Sequence, residues 1–194
     1  MGGASGPKGF SPTHQRRFGR RADAGSVCAN RVSAQLQKRG SKTVDTLKQV
    51  LIRLEADGSA LGHFNISDLV MLKAVVGSAV QIGAPVIVGA SEGEREFMGV
   101  GQLAAVVGSL REEFDTPIFL NADHTHSLQK VVEAAKAGFD AIVIDFSGLP
   151  FEQNAVRTKE AVEAIKAINP AILAEGEIGE AMTAEGVALA GQAP

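Results

Sequence analysis

The chain has 194 residues, 45% of them hydrophobic and 5% aromatic with neither Trp nor Tyr, so its one sizeable core must be filled by Val, Ile, Leu and Ala. The single cysteine, Cys28, excludes an internal disulfide framework and fits a reducing compartment, with the cytoplasm as the simplest location. The formal charge of −3 is small, no apolar run approaches the ~18 residues of a membrane span, and basic residues are not interleaved with aromatic ones, which argues against nucleic acid as a partner.

The first 43 residues stand apart. Nine of the nineteen Lys and Arg fall before residue 45 with one acid, Asp23, which leaves ten basic and twenty-one acidic residues in the body. This Gly-, Ser- and Arg-rich head has no lasting apolar periodicity, so it buries too little surface to offset its ordering entropy and is expected to be disordered. Its composition also fits a transit peptide or a non-native translated segment. It lacks the apolar core of a signal peptide, and Gly6 occupies the position where N-myristoylation requires Ser or Thr.

From Val44 to Pro194 the texture is that of one domain. "VDTLKQVLIRLEADGS" places Leu47, Val50, Leu51 and Leu54 at helical spacing and stops at Asp57-Gly58. Short apolar runs then alternate with helical patterns: "GHFNI", a helix through "SDLVMLKAVVGSAVQIG", "PVIVGAS", a helix through "GQLAAVVGSLREEF", "PIFLNAD", a helix capped by Ser127 and ending at Gly138, "AIVIDFS", a helix through "NAVRTKEAVEAIKAIN", and "AILAEGE". Nearly continuous apolar strands alternating with helices predict a parallel α/β sheet, either doubly wound or a (β/α)8 barrel of which five strand-helix units are visible. No G-x-G-x-x-G follows the first strand, and polar residues collect at successive strand ends, so the barrel is favoured.

Those polar residues are Asn65, Ser91, Asp123 with His124, Asp145 with Ser147, and Glu175 with Glu177. Asp123 and His124 are neighbours, so they converge on one site only if the strand breaks between them. As a site, His124 offers an imidazole ligand and Asp123 a proton acceptor; as plain structure, Asp123 caps the next helix and the histidines are solvated. Asp145 ends an apolar strand either as a capping acid or as a ligand. Glu175 and Glu177 share a strand face, where two carboxylates are costly to bury unless paired or metal-bound. Ser91 precedes a glycine-containing loop that would suit a phosphate. His126 is expected to be exposed, His63 to line the pocket, and His14 to lie in the disordered head.

"GHFNISDL", "PVIVGASEGE", "LNADHTHSL", "AIVIDFSGLPFEQN" and "AEGEIG", in that order, resemble the class II, metal-dependent aldolases that cleave ketose bisphosphates such as fructose or tagatose 1,6-bisphosphate. The likeness runs from about Val44 to Gly179. It implies a TIM barrel, a Lewis-acid zinc in place of a Schiff-base lysine, and a homo-oligomer. By the same resemblance Asp123 is the acid/base at the C4 hydroxyl, His124 is one of three zinc imidazoles, Asp145 and Glu177 are alternative or secondary cation ligands, and Asn65 and Ser91 hold the substrate and its phosphate. Two positions depart from the pattern: Asn121 stands where a histidine is common, and Phe146 where glycine follows I-D. The other two zinc histidines and three further strands of such a barrel would lie beyond Gly179, where the pattern is lost. The alternative to a lyase is therefore a non-catalytic barrel that retains sugar-phosphate binding.

Overall fold

The computed structural model describes residues 45–179. The expectations for residues 1–44, including disorder of the basic head, and for the tail from Glu180 lie outside the described residues.

The element order is α1 (Leu47–Ala56), β1 (His63–Asn65), α2 (Leu69–Ile82), β2 (Val86–Ala90), α3 (Glu92–Met98), α4 (Val100–Glu113), β3 (Ile118–Thr125), α5 (Leu128–Ala137), β4 (Ala141–Ile144), α6 (Phe151–Ile168) and β5 (Leu173–Gly176). The five strands form one parallel sheet in the order β1-β2-β3-β4-β5. A doubly wound sheet reverses its strand order at a switch point, whereas this progression never reverses, as in the wall of a barrel. The expected α/β class and barrel-type architecture are what the strands display.

Helix boundaries follow local chemistry. Thr46 and Gln49 close a capping box at the start of α1, Asp68 accepts from Met71 N ahead of α2, and Ser127 accepts from Lys130 N ahead of α5. Gly138 ends α5 in the left-handed conformation, with φ 93°, where a Cβ would be penalised. Two boundaries differ from expectation. Helix α6 begins at Phe151, three residues before the expected Asn154, with Pro150 at its N-cap, where the missing N–H costs no helical hydrogen bond. The loop expected after Ser91 is instead the short helix α3.

Strand parity separates two environments. Val86, Val88 and Ala90 of β2, Ile118, Leu120 and Ala122 of β3, and Ile142 and Ile144 of β4 point into the core shared with the helices, where Leu72, Val76, Val107, Val131, Phe139 and Ile165 meet them. Each such buried side chain contributes about 1.5–3 kcal/mol. The intervening residues point to the opposite face. There Phe119 packs with Leu47, Val50 and Leu54 of α1, beside Leu61, Ile87, Ala141 and Leu173. Helix α1 thus covers the amino-terminal end of that face, and the polar residues occupy its carboxyl-terminal end.

Candidate active site

The register His63↔Ile87↔Phe119 and Asn65↔Gly89↔Asn121 puts these residues on the face away from the helices. Asn65 Nδ2 donates to Asp123 Oδ2 at 2.7 Å, and the Nδ2 of buried Asn121 lies 3.4 Å from His63 Nε2. These side chains reach across β2 because residue 89 is glycine: a Cβ there would collide with His63 Nε2 and Asn65 Oδ1. The Oδ1 of Asn121 has no hydrogen-bond partner among the described residues.

The β3-β4 register shifts between Ala122 and Thr125. His124 within that step has φ 40°, the one positive φ outside glycine among the described residues. The break turns the His124 ring toward the carboxylates of the next two strands while Asp123 stays beside Asn65. His124 Nδ1 lies 2.9 Å from Asp145 Oδ2 and 3.1 Å from Glu177 Oε2. Ligand atoms of His124, Asp145 and Glu177 all lie within 4.8 Å of one another. One nitrogen and two carboxylate oxygens converging in this way are a donor set that can hold a divalent cation.

Supporting contacts hold each ligand. Asp145 Oδ1 accepts from Ser147 N at 3.0 Å and from Ser147 Oγ. Glu177 N donates to Ile144 O at 3.1 Å, while Nδ2 of buried Asn154 donates to Glu177 O at 2.8 Å, and Asn154 Oδ1 accepts from Thr158. The hydrogen bond that His124 donates to Asp145 raises the His124 pKa above 6.5; burial opposes this, and the charges of Asp123, Glu177 and Asp145 add to the rise. For Asp145, burial pushes upward but is outweighed by the hydrogen bonds from Ser147 and His124, which leave its pKa below 3.8. His124 Nδ1 thus lies between two carboxylates that favour its protonated form, in the place a cation would take.

Beneath the break lies Arg95 of α3, 2% exposed. Its Nη1 donates to Ala90 O and, at 2.9 Å, to Asp123 O, and its Nη2 donates to Thr125 Oγ1 at 2.9 Å. Burial lowers its pKa, and the nearby charges of Glu92, Asp123, Glu133 and Glu94 partly offset this.

Ser91 and Glu175 stand apart from the cluster, while His63 and His126 lie beside it. Ser91 caps α3: its Oγ accepts from Glu94 N, and Glu94 Oε2 accepts from Ser91 N. Glu175 is exposed on β5, whereas Glu177, just past the strand's end, is half-buried. His63 is exposed on β1, and His126 is exposed with its Nδ1 3.2 Å from Asp145 O and its ring 6.4 Å from that of His124. Beside the cluster is a cleft of ≈ 560 Å³ lined by His126, Asp145, Ser147 and Arg157 among others. Gly89, Arg95 and Asn154 support the site without having been singled out by sequence. A glycine inside an apolar strand is a signal of close backbone approach, whereas Arg95 is hidden in the charged run "EGERE".

Comparison with known proteins adds an independent line. The family model described as "Fructose-bisphosphate aldolase class-II" matches residues 45–192. A curated fructose-bisphosphate aldolase from Staphylococcus aureus (strain Mu50) is 34% identical over 137 residues, covering 69% of this chain and 47% of that protein. The chain thus spans about half the length of the curated relatives it matches. Among solved structures, the YdjI aldolase from Escherichia coli K12 superposes with a TM-score of 0.60 at 26% identity, covering 66% of this chain and 49% of that one. Fructose-bisphosphate aldolase from Campylobacter jejuni superposes with a TM-score of 0.61 over 69% of this chain and 45% of that one, and its 22% identity speaks for the fold alone. The family model matches residues 45–192, more than half of the chain, so the chain belongs to the class II fructose-bisphosphate aldolase family.

Proposed function

We propose that the protein carries out metal-dependent aldol cleavage and condensation of a ketose 1,6-bisphosphate of the fructose or tagatose type. The products of cleavage are dihydroxyacetone phosphate and glyceraldehyde 3-phosphate. The observation that carries this reading is the convergence of His124, Asp145 and Glu177 beside a separately held carboxylate, Asp123.

His124, Asp145 and Glu177 would hold the divalent cation, which the family resemblance makes zinc. When bound, it supplies Lewis-acid stabilisation of the negative charge that develops on the substrate's carbonyl oxygen. Asp123 takes the proton of the C4 hydroxyl as the C3–C4 bond breaks and returns it in condensation. Asn65 occupies Oδ2 of Asp123, which fixes the carboxylate's rotation and leaves Oδ1 for the hydroxyl. Asn65 and Ser91 are the substrate-contact residues of this reading; the Ser91 hydroxyl, which accepts from Glu94 N as a cap, keeps its O–H to donate to a phosphate. The assembly is a homo-oligomer in the cytoplasm; none of the described helices is long and apolar enough to cross a membrane.

The test is an assay of dihydroxyacetone phosphate release from fructose and tagatose 1,6-bisphosphate after chelation and after Zn2+ is restored. Release that returns with Zn2+ and is lost in Asp123→Asn supports the reading. Absence of cleavage of either sugar with metal present would overturn it.

A further inference from the structure

We propose that Arg95 is a positioning residue for the Asp123-His124 pair, acting through the backbone of β3 and touching no ligand itself. The inference rests on the metal-site reading above and deepens it.

A buried guanidinium is costly unless its donors are satisfied. Arg95 spends its hydrogen bonds on three uncharged oxygens: Ala90 O, Asp123 O and Thr125 Oγ1. Ala90 is the last residue of β2, and Asp123 and Thr125 flank His124 on either side. One planar fork therefore spans the ends of two strands at the point where pairing slips and where His124 has its positive φ. A non-glycine residue in that conformation persists only when its surroundings over-determine it. Carbonyl and hydroxyl held from beneath supply that restraint, so His124 faces Asp145 and Glu177 while Asp123 faces Asn65. Lysine, a single point charge, cannot replace a fork that reaches three acceptors.

The other end of β3 provides a comparison. Arg111 of α4 ties down Ile118 O at 2.8 Å and pairs with Asp140, which also accepts from Leu120 N at 2.7 Å. It fixes the same strand with no strained residue nearby. A purely structural role for Arg95 would make the two arginines equivalent in every assay of the metal site.

The experiment is a Co2+ titration of the 194-residue chain, read by visible absorption, on wild type and on Arg95→Met, Arg95→Lys, Thr125→Val, Arg111→Met and His124→Ala. Circular dichroism and urea unfolding establish which variants are folded. Arg95→Met and Arg95→Lys are expected to bind Co2+ roughly 10–100-fold more weakly, the range seen when groups that orient metal ligands are removed. Thr125→Val should be weakened less, and Arg111→Met should bind as wild type despite its lost stability. If Arg95→Met does not fold, Arg95→Lys and Thr125→Val decide in the same way. Wild-type affinity in the Arg95 and Thr125 variants, with binding lost in His124→Ala, overturns the positioning role and leaves the metal site standing. No Co2+ binding by the wild type, or undiminished binding by His124→Ala, overturns the metal site and with it the role of Arg95.

Discussion

Asn65 and Asp123 are 58 positions apart in sequence and joined by a 2.7 Å hydrogen bond, which passes over Gly89 of the strand between them. The orientation of the proposed acid/base is therefore set by two residues on two other strands.

Gly89→Ala tests that arrangement. The added methyl would push against His63 and Asn65, with an expected destabilisation of about 1–3 kcal/mol, typical of overpacking. Urea unfolding measures the loss, and the side-chain amide resonances of Asn65 report whether its bond to Asp123 survives. Unchanged stability with unchanged resonances would mean the approach is looser than described.

Asp123→Asn separates acid-base work from metal binding, because Asp123 lies outside the His124-Asp145-Glu177 group. Cleavage should fall about 10²–10⁴-fold, the range for a positioned proton-transfer group, with Co2+ affinity little changed. A parallel collapse of Co2+ affinity would make Asp123 a ligand instead.

The His124-Asp145 pair gives a signed pH dependence. In the metal-free protein the raised His124 value contributes stability that is full below 6.5 and lost as pH rises through the folded value. The lowered Asp145 value contributes stability present above 3.8 and lost as pH falls through its folded value. Both contributions are thus in place between 3.8 and 6.5. Zn2+ must displace the proton on His124, so its affinity should rise about tenfold per pH unit until His124 deprotonates, above 6.5. Imidazole resonances of His124 titrating at or below that value would contradict the pairing.

Arg111→Met should destabilise the fold by about 2 kcal/mol, less than a fully buried broken pair would cost because both partners are partly solvated. Burial already raises the pKa of Asp140 against the pull of Arg111 and of the Leu120 amide, so the unpaired acid should take up protons more readily still. Urea unfolding of Arg111→Met at neutral and mildly acidic pH measures this: the deficit should shrink as Asp140 protonates. An equal deficit at both would place the cost in lost packing.

What could be read from sequence was local. The apolar runs, their spacing, the Ser127 cap and the stop at Gly138 depend on neighbours a few residues away, and each reappears in the structure. The clustering of polar residues at strand ends was likewise visible, because parallel strands linked by helices all point the same way. Contacts across the sheet were not visible. Glu175 and Glu177 share a strand parity, and only the end of β5 at Gly176 decides that one is exposed while the other meets His124. Ser91 reads equally well as a phosphate loop or as a helix cap, and the reciprocal bonds with Glu94 are the second. Arg95 was hidden because the acids around it suggest a solvated surface, whereas its guanidinium turns inward to backbone oxygens that no side-chain pattern records.

Up to its break, strand β3 turns Ile118, Leu120 and Ala122 to the core under the helices and Phe119 and Asn121 to the other face, Phe119 against α1 and Asn121 toward the site. Its tolerance to change is therefore unequal in kind. Exchanging one residue for another alters one face and leaves the other intact, so reactivity and packing can drift separately. Deleting one residue between Ile118 and Ala122 transposes both faces at once, turning polar side chains toward the core and core side chains toward the site. Along this strand identity is negotiable, but length is not.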